Sequence, residues 1–225
     1  MTKIARFVFN HFGVNSYLLW DEKSGEALIV DPGCVNEGEM GKLSEFVAKN
    51  NLKPVAVVLT HAHPDHMGGV AFAKRAYGVP LALHSADSEL LKIAPAYGAQ
   101  MMFNIPALEA EIDLAEQTKL SFGECVAEVI HTPGHSKGGV CLYVAGDGIL
   151  LSGDTLFAGS IGRSDLPGGD YDELMGSITE RVLPLGGGVK VYPGHGAETT
   201  IAQEVNTNPF IGEVLEGGFN KPYEE

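Results

Sequence analysis

The sequence predicts an α/β fold, with two β-sheets packed together and helices outside them. Short β-rich runs and amphipathic helices follow one another as strands, helix, strands, helix, twice over. One strand, Val55 to Leu59, is apolar throughout, which suits burial on both faces. The 225 residues, 44% hydrophobic and 20% charged, suffice for a full core but are short for two independent domains. A single domain over residues 1–225 is expected, since neither an internal repeat nor a linker is found.

Ile4–Asn10, Ser16–Trp20 and Glu26–Val30 read as consecutive antiparallel strands separated by turn residues. Asp31-Pro32-Gly33 ends the third. From Glu37 to Asn50, Met40, Leu43, Phe46 and Val47 recur at helical spacing. Pro54 opens the buried strand, and a helix over about 68–77, a strand at Leu81–Leu83 and a helical stretch from Ser85 follow. Pro95 and Pro106 bracket a region expected to be irregular, in which Met101-Met102-Phe103 is either a lid or core. Strands resume at Thr118–Leu120, Cys125–Ile130, Val140–Val144 and Ile149–Leu151. A helix at Tyr171–Val182, a strand at Val189–Tyr192 and a last helix from Ala197 to about Asn206 complete the chain.

Charge and composition exclude whole classes of partner. The 29 acidic residues against 15 basic ones leave a formal net charge of −14, and no run is rich in Lys or Arg. Such a chain repels phosphate backbones, so neither nucleic acid nor an anionic membrane is expected as partner. No apolar run approaches the roughly 20 residues of a membrane span. The start, Met1-Thr2-Lys3-Ile4-Ala5-Arg6, lacks the apolar stretch of a signal peptide, so a cytoplasmic location is expected. Cys34, Cys125 and Cys141 lie far apart without CxxC spacing and read as reduced structural thiols.

The chemistry is concentrated in Thr60-His61-Ala62-His63-Pro64-Asp65-His66. Four metal-capable side chains stand within six residues, directly after the buried strand. His61 and His63 alternate, so an extended backbone points both imidazoles the same way. Pro64 suits the first turn of a helix, which would bring Asp65 and His66 back to the site. Gly68 and Gly69 allow close packing beside it. Three later turns, Thr132-Pro133-Gly134-His135-Ser136, Leu151-Ser152-Gly153-Asp154-Thr155 and Tyr192-Pro193-Gly194-His195-Gly196, each place one metal-capable residue just past a strand end. A lone His or Asp in a turn is usually surface or capping chemistry; their shared placement carries the argument. His11 and His84 fall outside these turns and read as ordinary residues, while His131 is either structural or a support behind a ligand.

The HxHxDH run with His135, Asp154 and His195 resembles the metallo-β-lactamase superfamily along nearly the whole chain, from Asn15-Ser16-Tyr17-Leu18 to Pro193-Gly194-His195-Gly196. Gly153-Asp154-Thr155-Leu156-Phe157 and Ile161-Gly162-Arg163-Ser164-Asp165 are similar to the glyoxalase II-like hydrolases, and Asn208-Pro209-Phe210 to their short bacterial branch. The resemblance implies an αββα sandwich of two mixed sheets packed face to face. It also implies two divalent metal ions: His61, His63 and His135 on one, Asp65, His66 and His195 on the other, and Asp154 bridging. Zinc is the default, with iron or manganese open to the same ligands. Asp31 is either a carboxylate orienting a ligand or a plain Asp-Pro-Gly turn.

The activity implied is hydrolysis of a small acyl thioester, like that of hydroxyacylglutathione hydrolase, by metal-activated hydroxide attacking the carbonyl. Asp154 and Asp65 are the catalytic carboxylates, Asp65 as a further proton relay. Arg163 stands where glyoxalase II carries a basic residue toward glutathione, or else pairs with Asp165. The helical C-terminal extension of full-length glyoxalase II is not expected here, and the tail from Gly212 to Glu225 is acidic, so recognition of glutathione should be weak. An Fe(II) persulfide dioxygenase using His61, His135 and Asp154, a lactonase, and a non-catalytic metal-binding protein are the alternatives. The complete ligand set argues against the last.

Overall fold

The computed structural model describes residues 1–217. The first sheet holds β1 (Thr2–Phe9), β2 (Val14–Asp21), β3 (Glu26–Val30), β4 (Lys53–Val58), β5 (Leu81–Leu83) and β6 (Ile112–Asp113), side by side in that order. Its first three strands are antiparallel and the rest parallel. The second sheet holds β7 (Lys119–Phe122), β8 (Cys125–His131), β9 (Val140–Val144) and β10 (Ile149–Gly153). After a small hairpin of β11 (Leu156–Phe157) and β12 (Ser160–Ile161), it is completed by β13 (Lys190–Pro193) and β14 (Thr199–Thr200), in the order β14-β13-β10-β9-β8-β7. Only the β10–β13 pair in that sheet is parallel. Both sheets are therefore mixed.

Strand alternation builds three apolar layers. In β2, Leu19 faces the other sheet among Leu28, Val58, Leu142 and Leu151. Its neighbour Leu18 faces outward with Ile29 and Val57 against α1 (Glu37–Lys49), α3 (Val70–Tyr77) and α4 (Ser88–Gln100). On the far side Cys141, Leu150 and Val191 pack under α5 (Tyr171–Ser177), a π-helical turn over Ile178–Val182, α6 (Ile201–Thr207) and α7 (Pro209–Gly217). The order helix, sheet, sheet, helix is the sandwich that the sequence predicts.

Differences from the sequence reading are local. The helix from Ser88 does not stop at Pro95 but runs through it to Gln100. Burial of Leu90, Leu91, Ala94 and Gly98 along one face outweighs the hydrogen bond a mid-helix proline forfeits. Phe103 and Ile105 are buried, so the following segment contributes to the core, while Met102, Asn104 and Pro106 between and after them are exposed. The last predicted helix begins at Ile201 rather than Ala197, because Thr199 and Thr200 pair with β13 and the Thr200 hydroxyl caps the helix. The two-residue strands β6, β11, β12 and β14 are too short for any periodicity to reveal. Of the acidic tail, residues 218–225 lie outside the described part.

The two sheets are tied together at one end. The Asn15 amide of the first sheet donates to Gly194 O at 2.7 Å, and the Val140 amide of the second donates to Thr60 O at 2.9 Å. Asn15 Nδ2 and the Tyr17 hydroxyl both donate to Pro193 O, at 2.9 and 2.8 Å. A buried carboxylate, Asp87, joins the loops after β4 and β8. It accepts from the Ala62 amide, the Ser136 hydroxyl and the Gly138 amide at 3.0, 2.8 and 2.6 Å. Replacing it leaves three buried donors unpaired. Asp87→Ala is expected to lower stability by about 3–5 kcal/mol in urea unfolding, while Val126→Ala, on the exposed side of β8, should stay within about 0.5 kcal/mol.

Candidate metal centre

Every predicted ligand lies beyond a strand end on the tied side of the sandwich. His61, His63, Asp65 and His66 follow β4, His135 follows β8, Asp154 follows β10 and His195 follows β13. Pro64 is the first residue of the one-turn helix α2 (Pro64–Met67), with His63 in extended backbone before it. This turn carries Asp65 and His66 back beside His61. Gly194 is required where it stands. A Cβ there would land on Asp154 Oδ1 and lie 2.8 Å from His66 Cε1.

The side chains meet in three groups: His61, His63 and His135; His61, His66 and Asp154; and Asp65, His66 and His195. His63 Nδ1 lies 2.8 Å from His135 Nε2, which is 3.3 Å from His61 Nε2. On the other side His66 Nε2 and His195 Nε2 are 3.3 Å apart, and Asp65 Oδ2 is 3.2 Å from His195 Nε2. Asp154 sits between. Its Oδ1 is 3.5 Å from His66 Nε2, and its Oδ2 is 3.6 Å from His135 Nε2 and 3.5 Å from His195 Nε2.

Surrounding hydrogen bonds fix which ring nitrogens are bare. The Arg163 carbonyl accepts from His135 Nδ1 at 2.7 Å, leaving His135 Nε2 a lone pair. Asp31 Oδ2 accepts from His66 Nδ1 at 3.0 Å and from the Thr60 hydroxyl at 2.6 Å. With its one proton committed to Asp31, the Thr60 hydroxyl accepts from His61 Nδ1, 3.1 Å away. So His61 Nε2 and His135 Nε2 face each other with lone pairs, a repulsive arrangement that a cation resolves. Asp154 Oδ1 is buried without a hydrogen-bond partner, and a group of opposite charge completes such a site. The residues present fit divalent metal ions.

Electrostatics agree. Burial, reinforced by His66 and His135, holds His61 well below the usual histidine range, and burial with His135 brings His63 to about 3. Burial opposes a charge on His66 too, but Asp65, Asp154 and Asp31 outweigh it and raise its pKa well above the usual value. For Asp154, desolvation is likewise overcome, by His66, His61 and His135, so the carboxyl stays ionised. The site thus sets the neutral imidazoles of His61 and His63 beside ionised carboxylates that draw positive charge onto His66; imidazole and carboxylate together are the donor set of zinc, iron or manganese.

Asp31 touches His66, as one of its two sequence readings requires, and its backbone φ of 47° is that of a constrained turn. Arg163 lines the pocket mouth, with its guanidinium bidentate on Asp165 at 2.9 and 2.8 Å. His84 and His131 stack on each other, centroids 4.1 Å apart, and belong to none of the ligand groups. The three thiols are free and buried; burial pushes Cys34 up to about 12 and Cys141 to about 11, which makes both inert.

Sequence reasoning passes over Thr60, Asp87, the Arg163 carbonyl and Asn10. Asn10 Nδ2 donates to Gly33 O and Asp65 O, both at 2.9 Å, and so ties the β1–β2 turn to the ligand loop. No spacing rule marks a backbone carbonyl or a turn asparagine. Only the position of Thr60, directly before the histidines, offers a signal. Above the ligands lies a pocket of about 340 Å³ whose walls include Phe12, Tyr97, Met101, Phe157 and Leu166.

Comparisons with known proteins show the family. The model of the Metallo-beta-lactamase superfamily matches residues 10–195. The hydroxyacylglutathione hydrolase GloC of Haemophilus influenzae is 33% identical over 207 residues, 89% of this chain and 93% of that one. The crystal structure of the BLEG-1 B3 metallo-beta-lactamase superposes with a TM-score of 0.85 at 36% identity, covering 93% of this chain and 99% of that one. The structure of TTHA1623 in a di-iron-bound form gives 0.80 at 37% identity, covering 92% and 99%. From its fold, its clustered histidines and aspartates, and these matches, the chain belongs to the metallo-β-lactamase superfamily.

Proposed function

We propose that this metallohydrolase holds two divalent metal ions and cleaves small acyl thioesters in the cytosol. The convergence of seven histidine and aspartate side chains, five of them on one pocket floor, with lone pairs turned toward one another, carries the reading. His61, His63 and His135 would hold one ion, Asp65, His66 and His195 the other, and Asp154 both. Ions so held polarise a carbonyl and acidify water. The hydroxyacylglutathione hydrolase named among the relatives supports a thioester as the substrate. Free, buried thiols suit a reducing compartment.

The chain's own residues supply orientation and proton transfer. Asp31 and the Arg163 carbonyl set the rings of His66 and His135. Asp65 Oδ2, beside His195, is placed to take a proton from water at the pocket floor and pass it outward. A departing thiolate, whose conjugate acid has a pKa of ~8.5, needs no proton donor. Arg163 is the guanidinium at the pocket mouth that a substrate carboxylate would meet, in competition with Asp165.

Three outcomes follow. Elemental analysis of purified protein should find up to two transition-metal equivalents, with His61→Ala and Asp154→Ala lowering occupancy and abolishing turnover; full activity in metal-free protein would end the reading. Zinc is our assignment, and the di-iron form of TTHA1623 makes iron the competitor. Metal-exchanged preparations assayed on a thioester and on glutathione persulfide should hydrolyse the thioester without consuming oxygen, whereas activity confined to an oxygen-consuming Fe(II) form would point to a dioxygenase. Arg163→Ala should raise KM for a glutathione thioester more than it lowers kcat, but by no more than about threefold, because it removes only exposed binding common to ground and transition states.

A further inference from the structure

The pocket above the ligands is walled by three segments that contribute no side chain to the ligand groups. The β1–β2 turn brings Phe12, the end of α4 brings Tyr97 and Met101, and the stretch from β11 onward brings Phe157 and Leu166. Five of the side chains around this cavity are thus aromatic or aliphatic, and they stand over His63, Asp65, His135, Asp154 and His195. The wall is preorganised. Phe12 packs on Phe103 with ring centroids 5.5 Å apart and on His11 at 4.7 Å, and Phe103 itself is buried. Asn10 fastens this turn to the backbone of Asp65. At the base of α4, Gly98 lets the helix end close on Phe103, Ile105 and Pro64, where a Cβ would stand 3.0–3.4 Å from each.

Size and charge decide which half of a thioester this space receives. Its volume of about 340 Å³ lies at the small end of the ~300–1,000 Å³ range for ligand pockets. The cavity is open on one side, so an acyl group of medium length can lie within it while the thiol portion extends outward. The one guanidinium or ammonium group around the cavity among the described residues, that of Arg163, is two-thirds exposed and already bidentate on Asp165. A thiol carrier bearing carboxylates therefore finds little to pair with, on a chain whose formal net charge is −14. An apolar acyl chain finds five apolar walls.

We infer that the enzyme selects its substrate by the acyl group, favouring thioesters of medium aliphatic or arylacetic acids, and is tolerant of the thiol. Phe12, Met101 and Phe157 are the specificity-determining residues. This inference rests on the thioesterase reading above. Burial of a methylene, at ~0.8 kcal/mol, is worth about fourfold in binding. A hexanoyl group, four methylenes longer than acetyl, should therefore gain at least about tenfold even if only partly enclosed.

Two series of thioesters test this on the metal-loaded protein. With N-acetylcysteamine as the common thiol, kcat/KM should rise at least about tenfold from acetyl to hexanoyl or phenylacetyl. With hexanoyl as the common acyl group, exchange of N-acetylcysteamine for glutathione should change it by less than about threefold. In Phe12→Ala/Met101→Ala the hexanoyl-to-acetyl ratio should fall toward one. An NMR titration with hexanoamide and acetamide reads the pocket without turnover, and hexanoamide should bind at least about tenfold more tightly in a way the double substitution removes. Equal binding of the two amides, a flat acyl series or a steep thiol dependence would overturn the proposal. Selective hexanoamide binding in a protein that turns over no thioester would instead overturn the thioesterase reading and leave the acyl selectivity standing.

Discussion

The metal-binding end depends on the Asp31 carboxylate. At 2% exposure, it accepts from the Thr60 amide and hydroxyl and from His66 Nδ1. Through Thr60 it also sets the ring of His61, so two imidazoles of the cluster take their tautomers from one acid. A left-handed backbone at a non-glycine residue costs of the order of 1–3 kcal/mol. Charge-assisted hydrogen bonds of this kind offset that cost. The Ser16 hydroxyl donates to the Asp31 carbonyl, and the Asp31 amide to Val58 O, so the turn is held from both neighbouring strands.

Ligands and pocket wall come largely from different parts of the chain, with the Arg163 carbonyl shared between them. Ligands come from the ends of β4, β8, β10 and β13, where the sheets offer rigid anchor points, and their supports are buried acids and backbone carbonyls. The apolar wall comes from a turn, a helix end and a short hairpin. Asn10 and Gly98 are the joints between these two constructions, one by hydrogen bonds and the other by absence of a side chain.

Much of this is legible in the sequence because the signals are dense. His61, His63, Asp65 and His66 stand so close together that only a bound ion explains them readily, and each later ligand follows a β-rich run. The layer order follows from alternation and from the fully apolar β4. What stays hidden depends on contacts distant along the chain. Asp87 is an ordinary acid until the fold sets it against Ala62, Ser136 and Gly138. The run of α4 through Pro95 is decided by burial of its other face, which overrides the local rule. Arg163 illustrates both cases: its side chain pairs with Asp165, as one of the two sequence readings has it, while the carbonyl that orients His135 leaves no trace in residue type.

The hydrogen bonds that tie the sheets at the ligand end have a dynamic consequence. Asn15 to Gly194 and Val140 to Thr60 cross from one sheet to the other within a residue or two of His195 and His61. To open the centre at these points, the chain must part the two sheets and expose the apolar layer between them, so local opening there approaches global unfolding in free energy. The amide protons of Asn15 and Val140 should be among the slowest in the molecule to exchange with solvent. Adjustment to a bound molecule is then left to side chains at the pocket mouth, such as the part-exposed Phe12, whose movement leaves the sheets together.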